Sequence, residues 1–247
     1  EEDANASFVS DAAILNIYTG GTTGRPKAAV HTQQGLLLQI FDILVSPDLC
    51  KKTDVLLNYA PLFHIGGFSL LLSMFSAGAT VVLSTNFNPD YLMHLVAQEQ
   101  ITQLFLIPPT IIERFDEQSV SKQEKPLPKV RLIHLAGGSS GPDVVERVFD
   151  LFPEALIANG YGMSERAVSL TNTFGRQDFL NMPDLAKSVG RPTFLSEAKL
   201  VDEDGREVSP GEIGELYGKR PCMMVGYKGI PSPFDTEGWF ATGKKKK

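Results

Sequence analysis

The sequence predicts an α/β protein: mostly parallel sheet layers with helices on both faces, followed by a small antiparallel β-rich part. Three observations carry this. Strand-like apolar runs alternate with helical patterns through residues 1–174, the texture of βαβ units. A helix opens at Pro142-Asp143, where a missing N–H and a negative charge are both favourable in the first turn. After about Gly175 the chain turns to short extended pieces punctuated by glycine, with a hairpin signal at Glu203-Asp204-Gly205.

In chain order, strands are expected at Ala13–Tyr18, Val55–Tyr59, Thr80–Ser84, Gln103–Ile107, Arg131–Ala136 and Leu156–Ala158. Between them the apolar spacing predicts helices at Gln33–Val45, Gly67–Ala77, Pro89–Gln98, Pro109–Glu117 and Pro142–Leu151. The uncharged stretch Ile65–Leu83 is long enough to span a bilayer. Gly78 interrupts it, and the β-branched ATVVL that follows reads as a buried strand after a buried helix. The segment Ser119–Pro128 reads as a polar loop, and "GEIGELYGK" and "MMVGYKG" read as short strands of the β-rich part.

The 247 residues, 43% of them hydrophobic, suffice for one large domain or two small ones with a real core. Net charge is −6, and setting aside the four terminal lysines leaves 19 basic residues against 29 acidic. Such a balance argues against a nucleic-acid partner. Two cysteines, Cys50 and Cys222, stand far apart in no metal or redox spacing and suit a reducing, cytoplasmic compartment. The four histidines show no ligand clustering, which argues against zinc. The opening EEDANAS lacks a Met, and the lysine block 244–247 reads as an appended tail, so the chain is expected to be a piece of something longer.

The stretch Tyr18–Val30, YTGGTTGRPKAAV, concentrates the chemistry. Thr19, Gly20, Gly21, Thr22, Thr23 and Gly24 offer bare backbone N–H groups and hydroxyls, and Lys27 adds a compact cation. A polyphosphate would use all three; a plain surface turn would use none of the charge. The spacing is not that of a Walker A loop, and Pro26 keeps the chain extended beyond the glycines, so a helix N-terminus is not the main anion anchor.

Three further motifs accompany it. In NGYGMSE, Asn159–Glu165, glycines flank Tyr161 and would leave one ring face open to stack on something flat such as a purine. Ser164 and Glu165 would put a hydroxyl and a carboxylate at a strand's carboxyl edge, where open sheets bind ligands and where Glu165 suits Mg2+ beside phosphates; a solvated Glu in an ordinary turn is the even alternative. AGGSSGP, Ala136–Pro142, is a second glycine turn that either only reverses the chain or offers backbone groups to a base or a carboxylate. PLFHIGG sets His64 among apolar neighbours, a pocket-wall position rather than a triad member, with space beyond it for a substrate chain.

Taken in order, TGGTTGRPK, PLFHIGG, AGGSSGP, NGYGMSE, SVGRP, GEIGELYGK with MMVGY, and GWFATG resemble the AMP-forming acyl/aryl-CoA synthetase family, over nearly the whole chain. The resemblance implies a carboxylate that attacks the α-phosphate of Mg·ATP to give acyl-AMP and pyrophosphate, followed by transfer to the thiol of CoA. It implies that Thr19–Lys27 wraps the outer phosphates. It implies that Tyr161 stacks on adenine with Asn159, Gly160, Gly162, Met163, Gly138 and Ser139 nearby. Ser164 stands where the family usually has Thr; Glu165 would hold Mg2+; and His64, Gly66 and Gly138 would border the acyl pocket. Lys27, Glu165 and His64 are then the catalytic set.

Residues 1–174 would form the nucleotide- and acyl-binding core and 175–243 a β-rich subdomain. Three departures stand out. Gly20 replaces a common serine, the AGGSSGP turn lacks a common proline, and position 244 is Lys where the family has a ribose-binding Asp. The family's C-terminal domain and its N-terminal portion are expected to be missing, leaving little turnover. Two readings stay open beside the acid–CoA ligase. One is an amino-acid adenylation domain, which PLFHIGG disfavours for want of an Asp. The other is a nucleotide-binding module without chemistry.

Overall fold

The computed structural model describes residues 10–20, 25–46, 48–86, 88–107, 129–138, 140–166 and 169–246. The chain divides into two compact units, each assembled from separated stretches: residues 1–41, 163–168 and 195–247 form one, and residues 42–162 and 169–194 the other. The division expected at residue 174 is therefore not where packing separates the chain. The physical reason is strand pairing: a late strand returns to the first hairpin.

In the first unit, β1 (Ala13–Thr19) and β2 (Lys27–Thr32) pair antiparallel, with Thr19 opposite Lys27. The sequence reading did not foresee β2. Its KAAVHT is short, and its alternation emerges only once β1 lies on one side and β12 (Gly226–Tyr227) on the other. The helix α1 (Gln33–Leu44) follows directly. A second small sheet holds β10 (Glu197–Val201), β11 (Gly214–Lys219) and β13 (Phe240–Lys246), all antiparallel, as the glycine-punctuated texture predicts. Lys245 and Lys246 pair with Glu215 and Gly214, so lysines read as an appended tail lengthen a strand.

The second unit is a seven-stranded sheet flanked by helices. Its elements run β3 (Val55–Asn58), α2 (Ile65–Ser76), β4 (Thr80–Leu83), α3 (Pro89–Gln98), β5 (Gln103–Leu106), β6 (Leu132–Leu135), α4 (Pro142–Leu151), β7 (Leu156–Tyr161), β8 (Leu170–Phe174), α5 (Arg176–Asn181) and β9 (Arg191–Pro192). The spatial order is β4-β3-β5-β6-β7-β8-β9; β4 through β7 are parallel and β8 and β9 antiparallel. The expected helix Pro109–Glu117 and the loop Ser119–Pro128 lie outside the described residues.

Parallel strands are apolar on both faces because both faces are covered. Leu57, Leu104, Leu106, Ile133, Leu135 and Ile157 point to α3, α4 and α5, packing with Leu92, Val96, Val145, Val148, Phe149 and Phe179. The alternate residues Leu56, Val81 and Phe105 meet Leu70 and Met74 of α2 on the opposite face. Helix starts follow local chemistry: the Asn88 side chain accepts from the Tyr91 N–H at 3.1 Å with Pro89 in the first turn of α3. Close approach requires glycine at Gly67, where a Cβ would lie 2.9 Å from Ala60 Cβ and 3.0 Å from Ala60 O. Gly78 ends α2 with φ +71°, and among the described residues no helix is long and apolar enough to cross a membrane.

Candidate active site

Geometry in the first unit centres on one face of β2. Alternation along the strand puts Lys27, Ala29 and His31 on the same side. Tyr227 of β12 lies opposite Ala29, and its backbone is pinned there: the Val225 N–H donates to Val30 O at 2.8 Å and the Lys228 N–H to Ala28 O at 2.9 Å. The ring of Tyr227 therefore reaches its diagonal neighbour, with Lys27 Nζ 5.3 Å from the ring centroid.

The segment Met163–Arg166 is held against this face. His31 Nε2 pairs with the Ser164 carbonyl at 2.9 Å, the Met224 N–H donates to Glu165 O at 3.0 Å, and the Tyr227 hydroxyl donates to Glu165 Oε1 at 2.5 Å. The Arg166 N–H closes a turn onto Met163 O at 3.0 Å, with Arg166 itself at φ +55°. Met163 and Tyr227 pack on an apolar cluster of Ala29, Met224 and Phe240.

Electrostatics sharpen these roles. Burial, then the Arg166 charge, lowers the His31 imidazole to about 4 against the pull of the Ser164 carbonyl, so it is neutral at pH 7. A carbonyl only accepts, so Nε2 carries the proton; Nδ1 is buried with no hydrogen-bond partner among the described residues. Burial, the Glu165 hydrogen bond and the Glu165 charge all push the Tyr227 phenol up, keeping it a donor. Glu165 is 7% exposed, and its Oε1 is the oxygen Tyr227 engages.

A hard divalent cation takes one or two protein carboxylates and fills its shell with water and phosphate oxygens. Glu165 fits that pattern as a single carboxylate. Among the described residues no group of three or more His, Cys, Asp or Glu could hold a metal unaided.

In the second unit the remaining predicted residues line the carboxyl edge of the parallel strands. His64 precedes α2 after β3, Gly138 follows β6, and Asn159, Gly160 and Tyr161 end β7, with Leu135 paired to Asn159. His64 is exposed, its ring 4.7 Å from that of Phe63, and Gly66 is exposed in the first turn of α2. Gly138 is exposed, and a Cβ on Gly162 would meet no atom within 4 Å.

The strand expected to end at Ala158 runs on to Tyr161. Asn159, Gly160 and Tyr161 stay in the strand because β8, unforeseen from sequence, pairs with them through Asn172, Thr171 and Leu170. Asn159 is committed within the fold. Its amide donates to Ala186 O at 3.2 Å and Ser188 O at 2.8 Å and accepts from Ser140 Oγ at 3.2 Å. Thr19 ends β1 and Gly20 follows it with open space around it, whereas Gly21, Thr22, Thr23, Gly24 and Ser139 lie outside the described residues.

Lys27, Met163, Ser164 and Glu165 thus share the first unit, and His64, Gly66, Gly138 and Asn159–Gly162 the second. Sequence reasoning missed His31 and Tyr227. The period-2 run Lys27-Ala29-His31 was the one available signal for the histidine; nothing local ties Tyr227 to a carboxylate 62 residues earlier.

Residues 2–228 match the family model described as AMP-binding enzyme. The chain belongs to that family. Among its curated relatives, 4-coumarate–CoA ligase-like 9 of Arabidopsis thaliana is 31% identical over 95% of the chain, and feruloyl-CoA synthase of an Amycolatopsis species 32% over 94%. The chain spans 42% and 46% of their lengths, less than half of each. Among solved structures, the o-succinylbenzoate coenzyme A synthetase of Bacillus subtilis in complex with ATP and magnesium ion superposes with TM-score 0.79 and 27% identity, covering 96% of this chain and 48% of that one. The N-terminal domain of FACL13 from Mycobacterium tuberculosis, at 22% identity and TM-score 0.83, shares the fold.

Proposed function

We propose that this chain is the nucleotide-binding core of an ATP-dependent carboxylate–CoA ligase that activates an aryl or acyl acid as its adenylate and transfers it to CoA. The observation that carries the reading is the presentation of Glu165: a nearly buried carboxylate, held on one oxygen by Tyr227, on the β2 face that also carries Lys27. A carboxylate and a cation so held suit a magnesium–phosphate group better than a solvated turn does. Family membership, and a solved relative described as bound to the acyl-adenylate intermediate, support the same reaction type.

In this reading Tyr161 supports adenine, Thr19–Lys27 surrounds the outer phosphates, and Glu165 holds Mg2+. Bound there, the ion would neutralise phosphate charge. Lys27 and the N–H and hydroxyl groups of its loop steady the leaving pyrophosphate, each hydrogen bond to a charged group contributing about 1.5–3 kcal/mol. The substrate carboxylate is ionised at neutral pH and attacks the α-phosphate without a general base. His64, Gly66 and Gly138, on the carboxyl edge of the second unit's sheet, border the acyl group. Asn159 acts through the fold, fixing Ala186 and Ser188 against β7. Two cysteines in no metal or redox spacing, Cys50 and Cys222, suit the cytoplasm.

The test is ATP–pyrophosphate exchange by the complete gene product across hydroxycinnamic, fatty and amino acids. Relatives named for coumarate and ferulate favour the hydroxycinnamic acids, so exchange should be strongest there. Exchange confined to amino acids would transfer the protein to the peptide-synthetase reading. Nucleotide binding without exchange would make it a non-catalytic module.

A further inference from the structure

We propose that Tyr227 is a positioning residue that sets Lys27 and Glu165 in register, its ring serving the lysine and its hydroxyl the carboxylate. The inference rests on the reading of Lys27 and Glu165 as phosphate and metal groups. Lys27 belongs to β2 and Glu165 to a segment more than a hundred residues later, and Tyr227 touches both. Its ring lies 5.3 Å from Lys27 Nζ, inside the range where an ammonium is drawn to an aromatic face. Its hydroxyl sits 2.5 Å from Glu165 Oε1, which directs the other carboxylate oxygen to any cation.

The tyrosine cannot slide along β2, because Val225 and Lys228 on either side donate to Val30 and Ala28. A lysine has four rotatable bonds and a glutamate three, and both would otherwise sample many rotamers. One ring anchored to one strand removes that freedom from both. Were Tyr227 only a packing residue of the Ala29–Met224–Phe240 cluster, its hydroxyl would be dispensable.

The two halves of the side chain can be removed separately. Calorimetric titration of the 247-residue chain with ATP, with and without Mg2+, reads both. In the unaltered chain Mg2+ tightens ATP binding, and Glu165→Gln abolishes that gain. Tyr227→Phe keeps the ring and should lose at least about fivefold in affinity, confined to the Mg2+-dependent gain. Tyr227→Leu loses ring and hydroxyl and should also weaken metal-free ATP binding by about threefold or more. Thermal melting of each variant separates unfolding from misplacement, and the Phe variant should melt close to the parent. An unchanged Mg2+ gain in Tyr227→Phe, with the gain lost in Glu165→Gln, overturns the positioning role alone. A gain that survives Glu165→Gln, or no ATP binding by the unaltered chain, overturns the metal reading and this inference together.

Discussion

Replacing Arg131 by alanine should unfasten the amino edge of the parallel sheet, opposite the edge that carries His64, Gly138 and Tyr161. Asp54, 2% exposed just before β3, accepts from Arg131 Nε at 2.6 Å and from Arg131 Nη2. It also accepts from the Lys51 N–H at 2.7 Å, Gln103 Nε2 at 2.6 Å and Thr102 Oγ1 at 3.1 Å. Arg131 further donates to Asp48 O at 2.8 Å. One carboxylate thus ties together the entries to β3, β5 and β6. Removing the guanidinium leaves a buried charge uncompensated, a loss of about 3–5 kcal/mol. For a chain of this size that lowers the melting temperature by roughly 6–20 °C.

The loss should also depend on pH. Burial raises the Asp54 carboxyl, but the Arg131 hydrogen bonds and charge, with those from Lys51 and Gln103, outweigh it and hold the group below its ordinary value. A depressed carboxylate stabilises the fold above the unfolded value of about 3.9, and that contribution disappears as pH falls through the folded value. Urea denaturation of the parent and Arg131→Ala at pH 7, 5 and 3.5 reads both effects. The gap should be widest at pH 7 and narrow in acid. A difference below about 1 kcal/mol at pH 7, or one that ignores pH, would refute the assignment.

His134 is lowered to about 4 by burial and then by the Arg131 charge, against the opposing pull of Asp54. Its protonation therefore favours the unfolded chain, and stability should fall by about 3 kcal/mol as pH drops from 6.5 to 4, with His134→Gln flattening that slope in denaturation curves. Gly190 has φ +81° and a Cβ there would lie 1.9 Å from Thr171 O, so Gly190→Ala should lose more than about 3 kcal/mol, read as melting temperature and soluble yield. Gly162→Ala meets open space, so melting should change by less than about 0.5 kcal/mol while ATP affinity drops if a base lies against Tyr161. Unaltered affinity would remove adenine from that place.

Period and punctuation were enough to locate most of the second unit. Pro89–Gln98 and Pro142–Leu151 match the expected helices residue for residue, because Asn88, Pro89 and Pro142 announce their starts locally. The two-faced apolar strands Leu56-Leu57 and Leu104–Leu106 likewise declare a covered parallel sheet from composition alone. The glycine-rich loop, NGYGMSE and their order carried the resemblance to the family whose model matches residues 2–228, since backbone access and charge type are written in residue identity.

Pairing was decided elsewhere. The strands β2 and β8 are short and weakly patterned, and they exist because β1 and β12, or β7 and β9, supply their hydrogen bonds. Whether Gly160 turns or continues a strand depended on Thr171 across the sheet. That His31 grips Ser164 and Tyr227 grips Glu165 follows from β12 returning to β2, a contact between residues whose separation along the chain leaves no local trace. Local free energies select helices, turns and apolar faces residue by residue. The register that brings a phenol to a carboxylate is a property of the assembled strands.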